Sequence, residues 1–152
     1  MTIARCMKST VISVSQTATI REVADIFVSK HIRLIPVVDQ DKKVLGSVRV
    51  HDMLGLAMPD FIQFIADVGY VQDFGAVERF RPEAKVLNSS ITTIMKKAVT
   101  VPRSCKLLRA YSLMRQNGLN DLLVVSSKNV LIGAGSLEDV SALILSDWRK
   151  VK

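Results

Sequence analysis

Apolar positions along the chain alternate between a helical and an extended spacing, and the whole alternation occurs twice. Ile20, Val23, Ala24 and Phe27 recur at the i, i+3, i+4, i+7 interval of an amphipathic helix, with Thr19 and Glu22 spaced as a capping box. They predict a helix over about residues 20–30. Leu107, Ala110, Tyr111 and Met114 predict a second one, closed by Gly118, which takes the left-handed conformation of a helix end without a Cβ clash. A branched apolar run follows each helix, Leu34 to Val38 and Leu122 to Val125. Polar turns at Asp39 to Lys43 and Ser126 to Asn129 lead into further strands, Val44 to Val50 and Val130 to Ser136. The closing helices begin near His51 and Leu137. Asp52 and Asp139 fall in their first turns, where a carboxylate meets the positive end of the helix dipole.

Laid against itself, the stretch from Ile12 to Leu54 matches Val99 to Ser141 at a constant offset of 87 residues. Ile20, Val23 and Ile26 fall on Leu107, Ala110 and Leu113, Gly46 falls on Gly133, and Asp52 falls on Asp139. A lead-in, Ile3 to Met7 and Ile91 to Met95, repeats with one residue of slip. Each unit reads strand, helix, strand, turn, strand, helix, so the expected class is α/β (α+β): two repeats, each a small, mainly three-stranded sheet with flanking helices. The expected boundaries are residues 1–58 for the first repeat, 59–88 for a helical crossover and linker, 89–148 for the second repeat and 149–152 for a basic tail. Within the crossover, Pro59 opens a helix with Phe61, Phe64, Ile65 and Val68 on one face, and Gly69 to Gly75 and Glu78 to Lys85 read as less regular. The aromatic face reads as core or subunit contact and, with Tyr70, as a candidate partner surface.

Composition narrows the class. With 152 residues, 49% hydrophobic, four prolines and seven glycines, the chain has the material for one cooperative body, which excludes a wholly disordered protein. No apolar run approaches the roughly 20 residues that cross a bilayer, and the N-terminus enters mixed polar sequence directly. The expectation is a cytoplasmic protein without a membrane partner. Cys6 and Cys105 form neither a disulfide framework nor a Cys-x-x-Cys pattern and read as quiet thiols. His31 and His51 lie in no metal or triad spacing, and neither a phosphate-loop lysine nor a dinucleotide fingerprint is present, so neither an enzyme nor a metal site is expected. The formal charge of +7 is concentrated. No acidic residue stands between Glu83 and Asp121, an interval that holds Lys85, Lys96, Lys97, Arg103, Lys106, Arg109 and Arg115. Such a segment steers a polyanion toward one face.

The repeated pattern resembles a tandem pair of cystathionine beta-synthase (CBS) domains, a Bateman module, over about residues 1–148. The resemblance rests on the Met7 and Met95 lead-ins, the strand Leu34-Ile35-Pro36-Val37-Val38-Asp39, and the segments Gly46-Ser47-Val48-Arg49-Val50-His51-Asp52 and Gly133-Ala134-Gly135-Ser136-Leu137-Glu138-Asp139. It implies two units packed by their sheets with pseudo-twofold symmetry around two clefts. In that family the clefts commonly bind adenosine compounds and the modules commonly pair as disc-like dimers.

The family motif of glycine, hydroxyl, two-residue gap and aspartate is complete only in the second repeat, where Ser136 and Asp139 match the residues that contact phosphate and ribose. In the first repeat Arg49 stands where a small hydroxyl is expected, leaving Asp52 as the ribose candidate and implying a weakened or altered cleft. The residue chemistry agrees for the second: a helix start supplies amide donors, Ser136 adds a hydroxyl, and Asp139 accepts from two ribose hydroxyls. Backbone around Thr100, Val101, Asn120, Asp121 and Leu122 is expected to flank the base, Ile35 is a further candidate contact, and Lys96, Lys97 and Arg103 are candidates for phosphate. The expected function is a stand-alone, non-catalytic sensor of AMP, ADP or ATP (with Mg as accompanying ion) or an S-adenosyl compound, acting as a homodimer on a regulated protein of a separate chain. The alternatives are a structural or interaction dimer without nucleotide and, with less support, a nucleic-acid-binding protein. Against the last stand the 5% aromatic content and the lack of a reading motif.

Overall fold

The computed structural model describes residues 1–58, 75 and 79–151. The expected Pro59 helix, with Phe61, Phe64, Ile65, Val68 and Tyr70, lies outside the described residues, as do Lys152 and most of the crossover.

Each half forms one three-stranded sheet. In the first, β1 (Val14–Ser15) runs parallel to β2 (Leu34–Val38), which pairs antiparallel with β3 (Val44–Arg49). The second repeats this with β4 (Thr100–Pro102), β5 (Asp121–Val125) and β6 (Leu131–Ser136). Helix α1 (Ile20–Lys30) makes the first parallel crossover, and α4 (Leu107–Asn117) makes the second. Helices α2 (Val50–Gly55) and α5 (Leu137–Trp148) follow the last strands, and a short α3 (Ala84–Leu87) precedes the second half.

The Thr19 box forms as the spacing predicts: Glu22 N donates to Thr19 Oγ1 at 3.2 Å and Thr19 N donates to Glu22 Oε2 at 2.7 Å. Period-2 alternation explains why the central strands read as unbroken apolar runs. Ile35 and Val37 face a core beneath α1, and Leu122 and Val124 face one beneath α4 and α5. Their neighbours Leu34, Val38, Leu123 and Val125 point the other way and join the two sheets in a shared central layer with Val44 and Leu131. One member of the expected α4 stripe differs: Leu107, Ala110 and Met114 are buried, whereas Tyr111 is exposed at the helix flank.

The lead-ins cross over. Ile3, with Cys6 and Met7, belongs to the core of the second half, and Ile91, with Ile94 and Met95, belongs to that of the first. Each then extends the opposite sheet. Lys8 and Ala134 exchange backbone hydrogen bonds of 2.8 and 2.9 Å, and Ser47 and Lys96 exchange two of 2.9 Å. This contact accounts for the matched glycines. A Cβ on Gly46 would lie 2.8 Å from the Lys96 carbonyl oxygen, and one on Gly133 would lie 2.7 Å from that of Lys8.

His31 caps α1 with φ 51°, the left-handed conformation that Gly118 supplies at the matching end of α4. A Cβ is costly there, while glycine is costly in the unfolded chain, and the first effect is the larger. His31→Gly is therefore expected to raise stability by about 0.5–1 kcal/mol, read as a higher urea midpoint at unchanged slope.

Candidate functional site

The pseudo-twofold packing creates two related clefts of unequal size. The larger, about 420 Å³, is bounded by Ser136 and Asp139 at the start of α5, by Lys8 to Ile12 of the exchanged lead-in, and by the segment from His31 to Leu34 that joins α1 to β2. Asp121, Leu123 and Ala134 complete it. Ser136 is the N-cap of α5: Asp139 N donates to Ser136 Oγ at 3.1 Å, and the Ser136 hydroxyl donates to Asp139 Oδ2 at 2.7 Å. Lys8 Nζ stands 3.7 Å from the same carboxylate oxygen. Asp139 retains a half-buried carboxylate turned to the cleft, with acceptor capacity beyond these contacts.

Arg33 closes one side by reaching from the first half to the second. Its Nε donates to Asp121 Oδ2 at 3.1 Å and its Nη1 to Glu138 Oε1 at 3.2 Å, with Nη2 adding longer bonds of 3.4 Å to both carboxylates. Hydrogen bonding to Asp121 and then to Glu138 raises the guanidinium further above its ordinary range. The Glu138 carboxyl is held below its usual value by its own backbone N–H first and by Arg33 second. Burial, helped by the Asp139 charge, pushes the Cys6 thiol up, and burial does the same at Cys105, so both favour the unreactive protonated form.

The smaller cleft is about 150 Å³ and contains Arg49, Asp52, Lys96 and Lys97. Arg49 occupies the space opposite Asp52. Its backbone N–H donates to Asp52 Oδ2 at 2.7 Å, its Nε lies 3.6 Å from that oxygen, and its Nη1 reaches the Asn117 carbonyl at 3.5 Å. Lys96 Nζ lies 3.9 Å from Asp52 Oδ1, leaving the Asp52 side chain only 6% exposed. A small-molecule site generally occupies about 300–1,000 Å³, a range that includes the first cleft and excludes the second.

The structure therefore separates residues that sequence reasoning had grouped. Ser136, Asp139 and Asp121 meet in the larger cleft, while Asn120 lies in a neighbouring hollow with Arg33, Arg49 and His51. Val101 and Leu122 are core residues of the second half, and Ile35 is a core residue of the first. Thr100 and Arg103 line neither cleft. Lys96 and Lys97 face Asp52 rather than Asp139, because their lead-in joins the opposite half. The concentration of charge expected beside the complete motif thus lies partly at the other cleft. His31, which reads from the sequence as a satisfied polar residue or a cleft wall, does line the larger cleft, whereas Lys8, Thr10, Val11, Ile12 and the segment 32–34 were not anticipated as walls.

Residues 3–58 and 90–146 match the CBS domain family model, and the chain belongs to that family. It is a tandem CBS pair, a Bateman module, and thus a regulatory module rather than an enzyme. No curated protein matches the chain. Among solved structures, CBSX2 in complex with AMP is similar at TM-score 0.72 and 20% identity, over 97% of this chain and 98% of that one. The CBS pair of protein MJ0100, in complex with 5′-methylthioadenosine and S-adenosyl-L-methionine, gives TM-score 0.69 and 17% identity over 97% and 98%. Protein MJ1004 from Mathanocaldococcus jannaschii gives 0.70 and 15%, covering 96% of this chain but only 60% of its own length. Distant CBS pairs thus bind adenosine-containing ligands, which supports a general sensor role for the class. Among the described residues, no helix is long and apolar enough to cross a membrane.

Proposed function

We propose that this chain is a cytoplasmic sensor that binds an adenosine-containing ligand in the larger cleft and passes its occupancy to a partner protein. The supporting observation is the roughly 420 Å³ cleft in which the Asp139 carboxylate, fixed by the Ser136 cap, faces walls supplied by the other half. Asp139 is the ribose acceptor, and the apolar side chains of Val11, Ile12 and Ile32 offer faces for the base. Because both halves line the cleft, a ligand that fits one relative arrangement better than another shifts their packing. Isothermal titration with AMP, ADP, ATP, 5′-methylthioadenosine and S-adenosylmethionine tests the proposal. Saturable binding of at least one compound is expected, and no binding to any at millimolar concentration overturns it.

Arg49 explains why one ligand, rather than two, is expected per chain. Arg49→Ser restores the short hydroxyl of the motif and removes the guanidinium from the smaller cleft. The titration stoichiometry is then expected to rise from one toward two.

The homodimer has support of its own. Leu108 and Trp148 are 68% and 67% exposed, and with Met1 and Ile144 they border an apolar groove between α4 and α5. Trp148→Glu is expected to convert a dimer to a monomer in sedimentation velocity. An unchanged sedimentation coefficient places the contact elsewhere.

A further inference from the structure

The two clefts carry opposite charge balances, and this difference bears on which adenosine compound the larger one accepts. Its charged lining residues are Lys8, Arg33, Asp121 and Asp139, and Glu138 joins them at the rim through Arg33. Both cations are engaged by carboxylates: Lys8 by Asp139, and Arg33 by Asp121 and Glu138 together. The Ser136 hydroxyl also donates to Asp139. The smaller cleft is the reverse, with Arg49, Lys96 and Lys97 around a single carboxylate, Asp52.

We infer that the larger cleft selects a phosphate-free adenosine compound, one whose 5′ substituent is neutral or positively charged, over a nucleotide. The inference rests on the adenosine-binding reading above and specifies its ligand class. A phosphate monoester brings a charge of about −1.5 to −2 at pH 7. To gain Arg33 it must displace two carboxylates, which then stay beside it as like charges. A neutral thioether or hydroxyl leaves the Arg33 contacts intact, and a sulfonium gains the field of Asp121, Glu138 and Asp139. The basic lead-in residues Lys96 and Lys97, which would otherwise favour phosphate, stand in the opposite cleft.

The test is competition for one site. The full chain is titrated with 5′-methylthioadenosine and S-adenosylmethionine, and AMP and ATP are then measured as competitors at fixed low ionic strength, where charge effects are least screened. The phosphate-free compounds are expected to bind at least tenfold more tightly than either nucleotide. Glu138→Gln, a change at an exposed side chain, frees one side of Arg33 and is expected to tighten AMP by up to about fivefold with little change for 5′-methylthioadenosine. AMP or ATP binding as tightly as the phosphate-free compounds overturns the inference while leaving the adenosine reading in place, and so does an AMP affinity unmoved by Glu138→Gln. Failure of all four compounds and of ADP to bind overturns the adenosine reading, and the inference with it.

Discussion

Gly133→Val is expected to cost roughly 3 kcal/mol of stability, the upper end for overpacking a closely fitted interior, and to lower the urea midpoint accordingly. The reason is contact with backbone rather than with a movable side chain. The first added carbon already falls 2.7 Å from the Lys8 carbonyl oxygen, with the Met7 terminal methyl 3.2 Å away. Relief requires the lead-in to withdraw, which breaks the paired Lys8 and Ala134 hydrogen bonds that tie the first residues of the chain to the second sheet. Those residues also line the larger cleft, so ligand affinity should fall along with stability. Gly55→Val is the control: a Cβ there meets nothing within 4 Å, and helix propensity slightly favours valine over glycine, so no loss of stability is expected.

Asp139→Ala is expected to weaken the adenosine ligand by about tenfold to a hundredfold, because hydrogen bonds to a charged group contribute about 1.5–3 kcal/mol and each 1.4 kcal/mol is a factor of ten. The fold should survive: the Ser136 hydroxyl oxygen still accepts from the backbone N–H of residue 139, so the cap remains when the carboxylate is gone. Circular dichroism checks that point beside the titration. Asp52→Ala, made in the cleft that Arg49 fills, is expected to leave ligand affinity unchanged. A comparable loss from both changes would mean that the clefts are not distinguished as the geometry implies.

Local signals carried most of the fold. The spacing of Ile20 and its followers, with Thr19 before them, specifies α1 because the helix period and the cap are properties of consecutive residues. The same holds for the turns, where Lys42 and Asn129 adopt matching left-handed conformations at φ 64° and 62°. The Ser136 and Asp139 cap was legible for a similar reason, since its hydrogen bond spans three residues of one helix start, whereas their assignment to a ligand came from the family motif.

What the repeat did not show was which body each lead-in joins. A constant offset orders the residues but is silent on exchange between two nearly equivalent partners, and Ile3 fits the second core as Ile91 fits the first. The one-residue slip between lead-in and body was the available sign that the two pack separately. Without the exchange, Lys96 and Lys97 fall beside Asp139 and Lys8 falls beside Asp52, the reverse of the observed arrangement. The central strands pose a related difficulty. Leu122 and Leu123 are both apolar, yet one enters the core of its own half and the other lines the cleft, and strand register alone decides between them.

The most direct measurement is a crystal structure of the chain with its tightest-binding adenosine compound. One ligand per chain is expected in the larger cleft, with both ribose hydroxyls on the Asp139 carboxylate and with Arg33 still joined to Asp121 and Glu138. A ligand seated against Arg49 and Asp52, or one that leaves Asp139 untouched, would contradict it.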